Sequence, residues 1–137
     1  YEQRENGKIV FDGIISLAKA CLENGIPVGL GTDTACPYVT QYDMWRELCY
    51  FVKYCGVSEK FALYSATLLN ATLAGIGDET GSIEKGKKAE MIVTRENPLE
   101  NLQALRNLDM VIMRENIIRS PKVKKIPEVE TELDKWL

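Results

Sequence analysis

Pro27-Val28-Gly29-Leu30-Gly31-Thr32-Asp33 is a short apolar stretch that runs straight into a carboxylate. It shows no polar alternation, which is how a strand covered on both faces reads, as in a parallel sheet, and the expected strand is 27–31. Pro27 suits a first strand residue, where no ladder donor is needed, and Gly29 and Gly31 leave room for close backbone approach beside the carboxylate. Ligands gather beyond the carboxyl ends of strands in α/β folds, so Asp33 stands where chemistry is usually done. The bare pattern has a second reading, a strand end whose aspartate caps the following turn.

On the amino-terminal side, Val10, Ile14, Leu17, Ala18, Cys21 and Leu22 recur at the spacing of a helix over 8–24 with one buried face, closed by Asn24-Gly25. On the other side, the loop Thr34-Ala35-Cys36-Pro37-Tyr38-Val39-Thr40 is placed to line a pocket over the strand end, with Thr34 and Tyr38 as candidate substrate-binding walls. A loop hydroxyl can equally stabilise a turn, and Cys36, with no histidine to activate it, reads as a plain small loop residue. A helix over 41–55 follows, with Tyr42, Trp45, Leu48, Cys49, Val52 and Cys55 as a core stripe. Ser58 is the expected N-cap of the next helical run, which Thr67 and Asn70 are expected to divide and re-cap, with Leu63, Ala66, Leu69, Leu73 and Ala74 buried.

The pattern changes near residue 78, where a turn-rich break passes into β-like sequence. A strand over 89–94, one or two helical turns over 98–106 and a hairpin over 109–119 are expected, the hairpin tip being Arg114-Glu115-Asn116 with asparagine in the left-handed position. Lys122, Lys124 and Lys125 read as solvated surface. Past Pro127, Val129, Leu133, Trp136 and Leu137 suit a short helix docking by its aromatic end.

Composition narrows the function classes. A chain of 137 residues, 45% hydrophobic, can bury a core but is too short for a whole (β/α) barrel of about 250 residues. A net charge of −3 gives no footprint for nucleic acid, and no apolar run approaches the roughly 20 residues of a membrane span. Cys21, Cys36, Cys49 and Cys55 form no C-x-x-C pair, so reduced thiols in a cytoplasmic setting are expected. There is no histidine, which removes the usual general base and the commonest metal ligand together. The first residue is Tyr1 rather than Met, which leaves open a natural start, and any targeting segment, outside these residues.

Three stretches carry a family resemblance: 25–33, already quoted in large part; Ser65-Ala66-Thr67-Leu68-Leu69-Asn70-Ala71; and 81–93 with the following Asn97-Pro98-Leu99. In that order and spacing they resemble the metal-dependent amidohydrolase superfamily, in particular its imidazolonepropionase-like and prolidase-like branch. Glu90 departs from the pattern, which commonly has aspartate there. The resemblance implies an α/β fold: residues 1–78 as the C-terminal part of a (β/α)8 TIM-like barrel, 79–120 as strands of a small, composite β-sandwich, and 121–137 as a tail with a short helix. It implies C–N (amide or peptide-like) bond hydrolysis by a water activated by one or two divalent cations, zinc first among them, with histidine ligands outside this chain. Asp33 would serve as catalytic proton carrier and as a metal ligand. The partners implied are a small amide or peptide substrate and the missing N-terminal part of the same enzyme.

On its own the chain is expected to be inactive and to bind no catalytic metal, because one convincing ligand falls short of the usual three. Open strand edges and uncovered apolar faces make homo-oligomers the expected state. Two other readings stand beside the enzyme fragment: a non-catalytic binding or scaffolding module, and one half of a split enzyme.

Overall fold

The computed structural model describes residues 2–137. Helix α1 (Glu2–Glu23) begins six residues before the expected start at residue 8, because its first turn is made of glutamate, glutamine and arginine, which favour helix without marking a buried face. Helix α2 (Met44–Cys55) starts after Asp43 and ends at Gly56, whose φ of 75° is the left-handed stop and whose N–H bonds Val52 O. Ser58 caps α3 (Glu59–Tyr64) by accepting the Phe61 N–H. The chain then continues through a π-helical turn (Ser65–Leu69) into α4 (Asn70–Leu73).

The expected re-capping at Thr67 does not occur. Its hydroxyl donates to Leu63 O at 2.6 Å, four residues back, so the helix is loosened in mid-course rather than divided. Of its expected buried side, Leu69 is buried and Leu63 and Ala66 are half-buried, while Leu73 and Ala74 are exposed. The core is centred on Leu48, Phe51, Ala62 and Leu102, with Leu22, Val28 and Leu30 packed on it. Helix α1 reaches the core cluster itself at Leu22, in its last turns, and earlier meets α2 through Phe11, edge-on to Tyr54 at 5.1 Å; Ile15, Ala18, Cys21 and Leu22 are half-buried, but Val10, Ile14 and Leu17 stand 60–66% exposed.

Three antiparallel strands make one sheet in the order β1-β2-β3: β1 (Glu90–Thr94), β2 (Leu108–Met113) and β3 (Asn116–Arg119). A 3₁₀ turn (Leu102–Arg106) precedes β2 and inserts Leu102 into the core. The hairpin closes on the pair Met113↔Asn116, which places Asn116 inside the strand. The positive φ, 58°, therefore falls on Arg114, and the expectation for asparagine is corrected by register.

Helix α5 (Pro127–Leu133) and a final 3₁₀ turn (Asp134–Trp136) return to α2. They dock by carboxylates and backbone carbonyls rather than by the aromatic end, and Trp136 is 56% exposed. The four cysteines are unbridged, and among the described residues no helix is long and apolar enough to cross a membrane.

Candidate active site

The stretch 26–33 departs most from expectation. It pairs with no strand among the described residues and carries no ladder. Its exposure nevertheless alternates: Val28, Leu30 and Thr32 are half-buried, while Pro27, Gly29, Gly31 and Asp33 are exposed. That is the period of an extended chain with one face covered. Val28 and Leu30 pack on the helical core, and among the described residues no strand lies hydrogen-bonded beside them.

One side chain stands in for the missing ladder. Asn70 Oδ1 accepts the Leu30 N–H at 2.9 Å, and Asn70 Nδ2 donates to Leu30 O at 2.8 Å. Both backbone groups of one extended residue are thus satisfied by a single amide, much as a paired strand would satisfy them. Gly29 makes this approach feasible, since a Cβ at that position would lie 2.5 Å from Asn70 Oδ1. The sequence reading passed over this pairing because its partners lie forty positions apart.

Three residues beyond Leu30, Asp33 is exposed, with φ at 52°. Among the described residues its carboxylate accepts only the thiol of Cys36, Sγ to Oδ2 at 3.4 Å, and no backbone N–H. The alternative in which Asp33 caps its own turn lacks the bond it requires. The same contact bears on Cys36: its hydrogen bond to Asp33 and the nearby negative charge push the thiol pKa up, so this sulfur stays protonated and weakly nucleophilic.

Thr34 and Thr32 share a hydroxyl hydrogen bond at 2.7 Å, and the Cys36 N–H reaches Asp33 O at 3.3 Å, closing a turn around the carboxylate. Ala35 and Tyr38 also have positive φ, 98° and 63°. Three such residues within six, none of them glycine, hold the loop in backbone conformations that cost about 1–3 kcal/mol each. The structure thus gathers Asp33, Thr34 and Cys36 into one turn and leaves Tyr38 in the next, its side chain 63% exposed.

Below the loop lies a polar network that sequence reasoning did not find. The Thr40 hydroxyl donates to Asp43 Oδ2 at 2.5 Å, and the buried Arg46 donates Nε to Asp43 Oδ1 at 3.0 Å. Arg46 Nη1 reaches Asp134 Oδ1 at 2.5 Å; its Nη2 lies 3.1 Å from Glu130 Oε1 as an ion pair without hydrogen-bond alignment. Arg106 bonds the same two acids at 3.0 and 2.9 Å, and both guanidinium carbons lie within 5.2 Å of the Trp45 ring centre. Burial works against the Arg46 charge, but three carboxylates outweigh it and hold the guanidinium firmly protonated. An arginine within an amphipathic helix carries no local mark of such burial.

Among the described residues no group of three or more histidine, cysteine, aspartate or glutamate side chains is disposed to hold a metal ion. Asp33 is a single exposed carboxylate, and by chemistry alone these residues do not make a complete cation site.

The fold and the site together define an α/β chain with a small antiparallel sheet, displaying a carboxylate beyond an extended segment that pairs with no strand among the described residues. Residues 5–118 match the Amidohydrolase family, and the chain belongs to that family of hydrolases, which are in general metal-dependent. The imidazolonepropionase of Thermoplasma acidophilum is 30% identical over 106 residues, which are 75% of this chain and 26% of that protein. A provisionally assigned prolidase of Bifidobacterium longum superposes with a TM-score of 0.92 at 40% identity, over 96% of this chain and 32% of its own. A Xaa-Pro dipeptidase with methionine bound in its active site gives 0.69 at 34% identity, over 77% and 25%. The chain therefore spans about a quarter to a third of the length of these relatives.

Proposed function

We propose that this chain is the C-terminal share of a metal-dependent hydrolase that cleaves the C–N bond of a small amide or dipeptide, and that Asp33 carries the proton in that reaction. The observation that bears most weight is the position of Asp33: exposed, free of backbone capping bonds, and held at the end of an extended segment that pairs with no strand among the described residues. In this reading the segment 26–33 is the last strand of a TIM-like barrel, and the three antiparallel strands belong to a small β-sandwich completed by other residues of the enzyme.

A divalent cation such as zinc, bound by Asp33 together with ligands from outside this chain, would supply a water acidified enough to ionise near neutral pH. Asp33 accepts the proton released as the nucleophile forms and returns it to the departing nitrogen, a task for which a carboxylate with an unoccupied oxygen is suited. Thr34, beside it, lines the substrate's approach, and Tyr38 lies farther along the same loop. The prolidase and dipeptidase relatives favour dipeptides with a C-terminal proline as substrates; the imidazolonepropionase relative favours cyclic amides.

The test uses the protein expressed from its complete coding region and assays Met-Pro, other Xaa-Pro dipeptides and imidazolonepropionate. Asp33→Asn is expected to lower turnover by roughly 10²–10⁴-fold with little change in melting temperature. Near-normal turnover in that variant removes Asp33 from the chemistry. No hydrolysis of any of these substrates by the unaltered protein removes the substrate assignment.

A further inference from the structure

We propose that Asn70 is a positioning residue for Asp33, acting through the backbone of Leu30; this rests on the reading of Asp33 as proton carrier. The two hydrogen bonds of Asn70 fix both the N–H and the C=O of Leu30, at 2.9 and 2.8 Å. Only Gly31 and Thr32 separate that anchored residue from Asp33. The turn that carries the carboxylate is closed by local bonds, Cys36 to Asp33 and Thr32 to Thr34, and the residue before it whose backbone is tied to another element is Leu30, so the turn takes its direction from there.

The helix carrying Asn70 is built for this reach. The Asn70 N–H reaches back to Ser65 O, five residues away, through the π-helical turn Ser65–Leu69. One extra residue in a helical turn rotates all that follows by about 100° relative to an uninterrupted α-helix. Without that rotation the Asn70 side chain would leave the face that meets Leu30. Gly29 completes the arrangement, because any larger residue would put its Cβ 2.5 Å from Asn70 Oδ1 and 3.1 Å from Leu73 Cδ1. A π turn, an amide presenting both donor and acceptor, and a glycine with space for one atom fewer converge on a single peptide unit.

Placement errors of about an ångström at reacting groups can cost on the order of 100-fold in rate. In the full-length protein, with Met-Pro as substrate, Asn70→Ala is therefore expected to lower kcat by roughly 10–100-fold while KM changes by less than about threefold. Amide hydrogen exchange at Leu30 should speed up in the same variant. The Asp33→Asn/Asn70→Ala double variant should be no slower than Asp33→Asn alone, because a residue that acts through Asp33 has nothing left to position. Gly29→Ala, which retains the amide but crowds it, is expected to reproduce the Asn70→Ala pattern and serves if Asn70→Ala does not fold.

Faster Leu30 exchange with unchanged kcat in both variants would overturn the proposal, since the clamp would then be structural only. So would a full further loss in the double variant. Normal turnover in Asp33→Asn overturns it by a different route, by removing the reading it rests on; the Leu30 exchange rates then report on the clamp separately.

Discussion

Ser65 is wholly buried with a hydroxyl that finds no hydrogen-bond partner among the described residues, at the first position of the π turn. A buried, unpaired hydroxyl costs on the order of 1–3 kcal/mol, so Ser65→Ala is expected to leave stability unchanged or raise it by about 1 kcal/mol. Chemical denaturation of the two forms checks this, and a clear loss of stability would mean that the hydroxyl does have a partner. Arg46 presents the opposite balance. Its side chain is 1% exposed and shared among Asp43, Glu130 and Asp134, so Arg46→Ala leaves the buried Asp43 without its countercharge and Glu130 and Asp134 with Arg106 in place of two arginines. The expected cost is about 3–5 kcal/mol, measurable by the same denaturation series, and a cost below about 1 kcal/mol would show that water takes over the carboxylates.

Helix α5 is the element whose attachment depends most on charge. Burial alone would raise the Asp134 pKa, but hydrogen bonds from Arg46 and Arg106 outweigh it and hold the carboxyl below its usual range. A carboxyl with a depressed folded-state pKa contributes stability that is complete above its unfolded value, about 3.9, and is lost as pH falls from there through the folded value. Acidification below about pH 4 is therefore expected to release the 127–137 segment from α2. Tryptophan fluorescence should report it, since Trp45 lies against Arg46 and Arg106, the two arginines that hold the segment. Asp134→Asn should weaken docking at neutral pH and flatten this acid response, and an unchanged acid transition in that variant would assign it to other carboxylates. How readable an element was from sequence followed from where its determinants lie. Helices α1 and α2 and strands β1 to β3 were legible because apolar periodicity and turn residues mark them locally. The docking mode of α5 was not, because Trp136 and Leu137 invited an apolar reading while Glu130 and Asp134 meet arginines more than twenty positions away.

At the scale of the whole molecule, the apolar surface is the dominant property. Ile9, Val10, Ile14 and Leu17 on α1 and Ile92, Met113, Ile117 and Ile118 on the sheet are all at least half exposed. The edges of the sheet and the segment 26–33 lack strand partners among the described residues. Such surfaces are covered in stable proteins, so the isolated 137-residue chain is expected to associate into dimers or larger species, and light scattering after size-exclusion chromatography checks this. A compact monomer with one cooperative thermal transition would argue for a self-sufficient domain and against the enzyme-fragment reading. Elemental analysis of the same sample after dialysis is expected to find no stoichiometric zinc, cobalt or manganese, because one exposed carboxylate offers too few ligands.

The amino-acid sequence by itself determined the helices, the three antiparallel strands, the candidate carboxylate Asp33 and, through three spaced motifs, the amidohydrolase family. These depend on short-range preferences and on the order of residues along the chain. Only the tertiary structure decided that 26–33 is held by one asparagine amide instead of a ladder, that the helix after Ser65 takes a π turn, and that Arg46 ties α5 to α2. Each of those rests on a contact between residues far apart in sequence, or on a choice between nearly equal local geometries that packing settles. The segment 26–33 is the extreme case: its side chains encode that it can extend, but a strand's ladder needs a neighbour, and among the described residues none pairs with it.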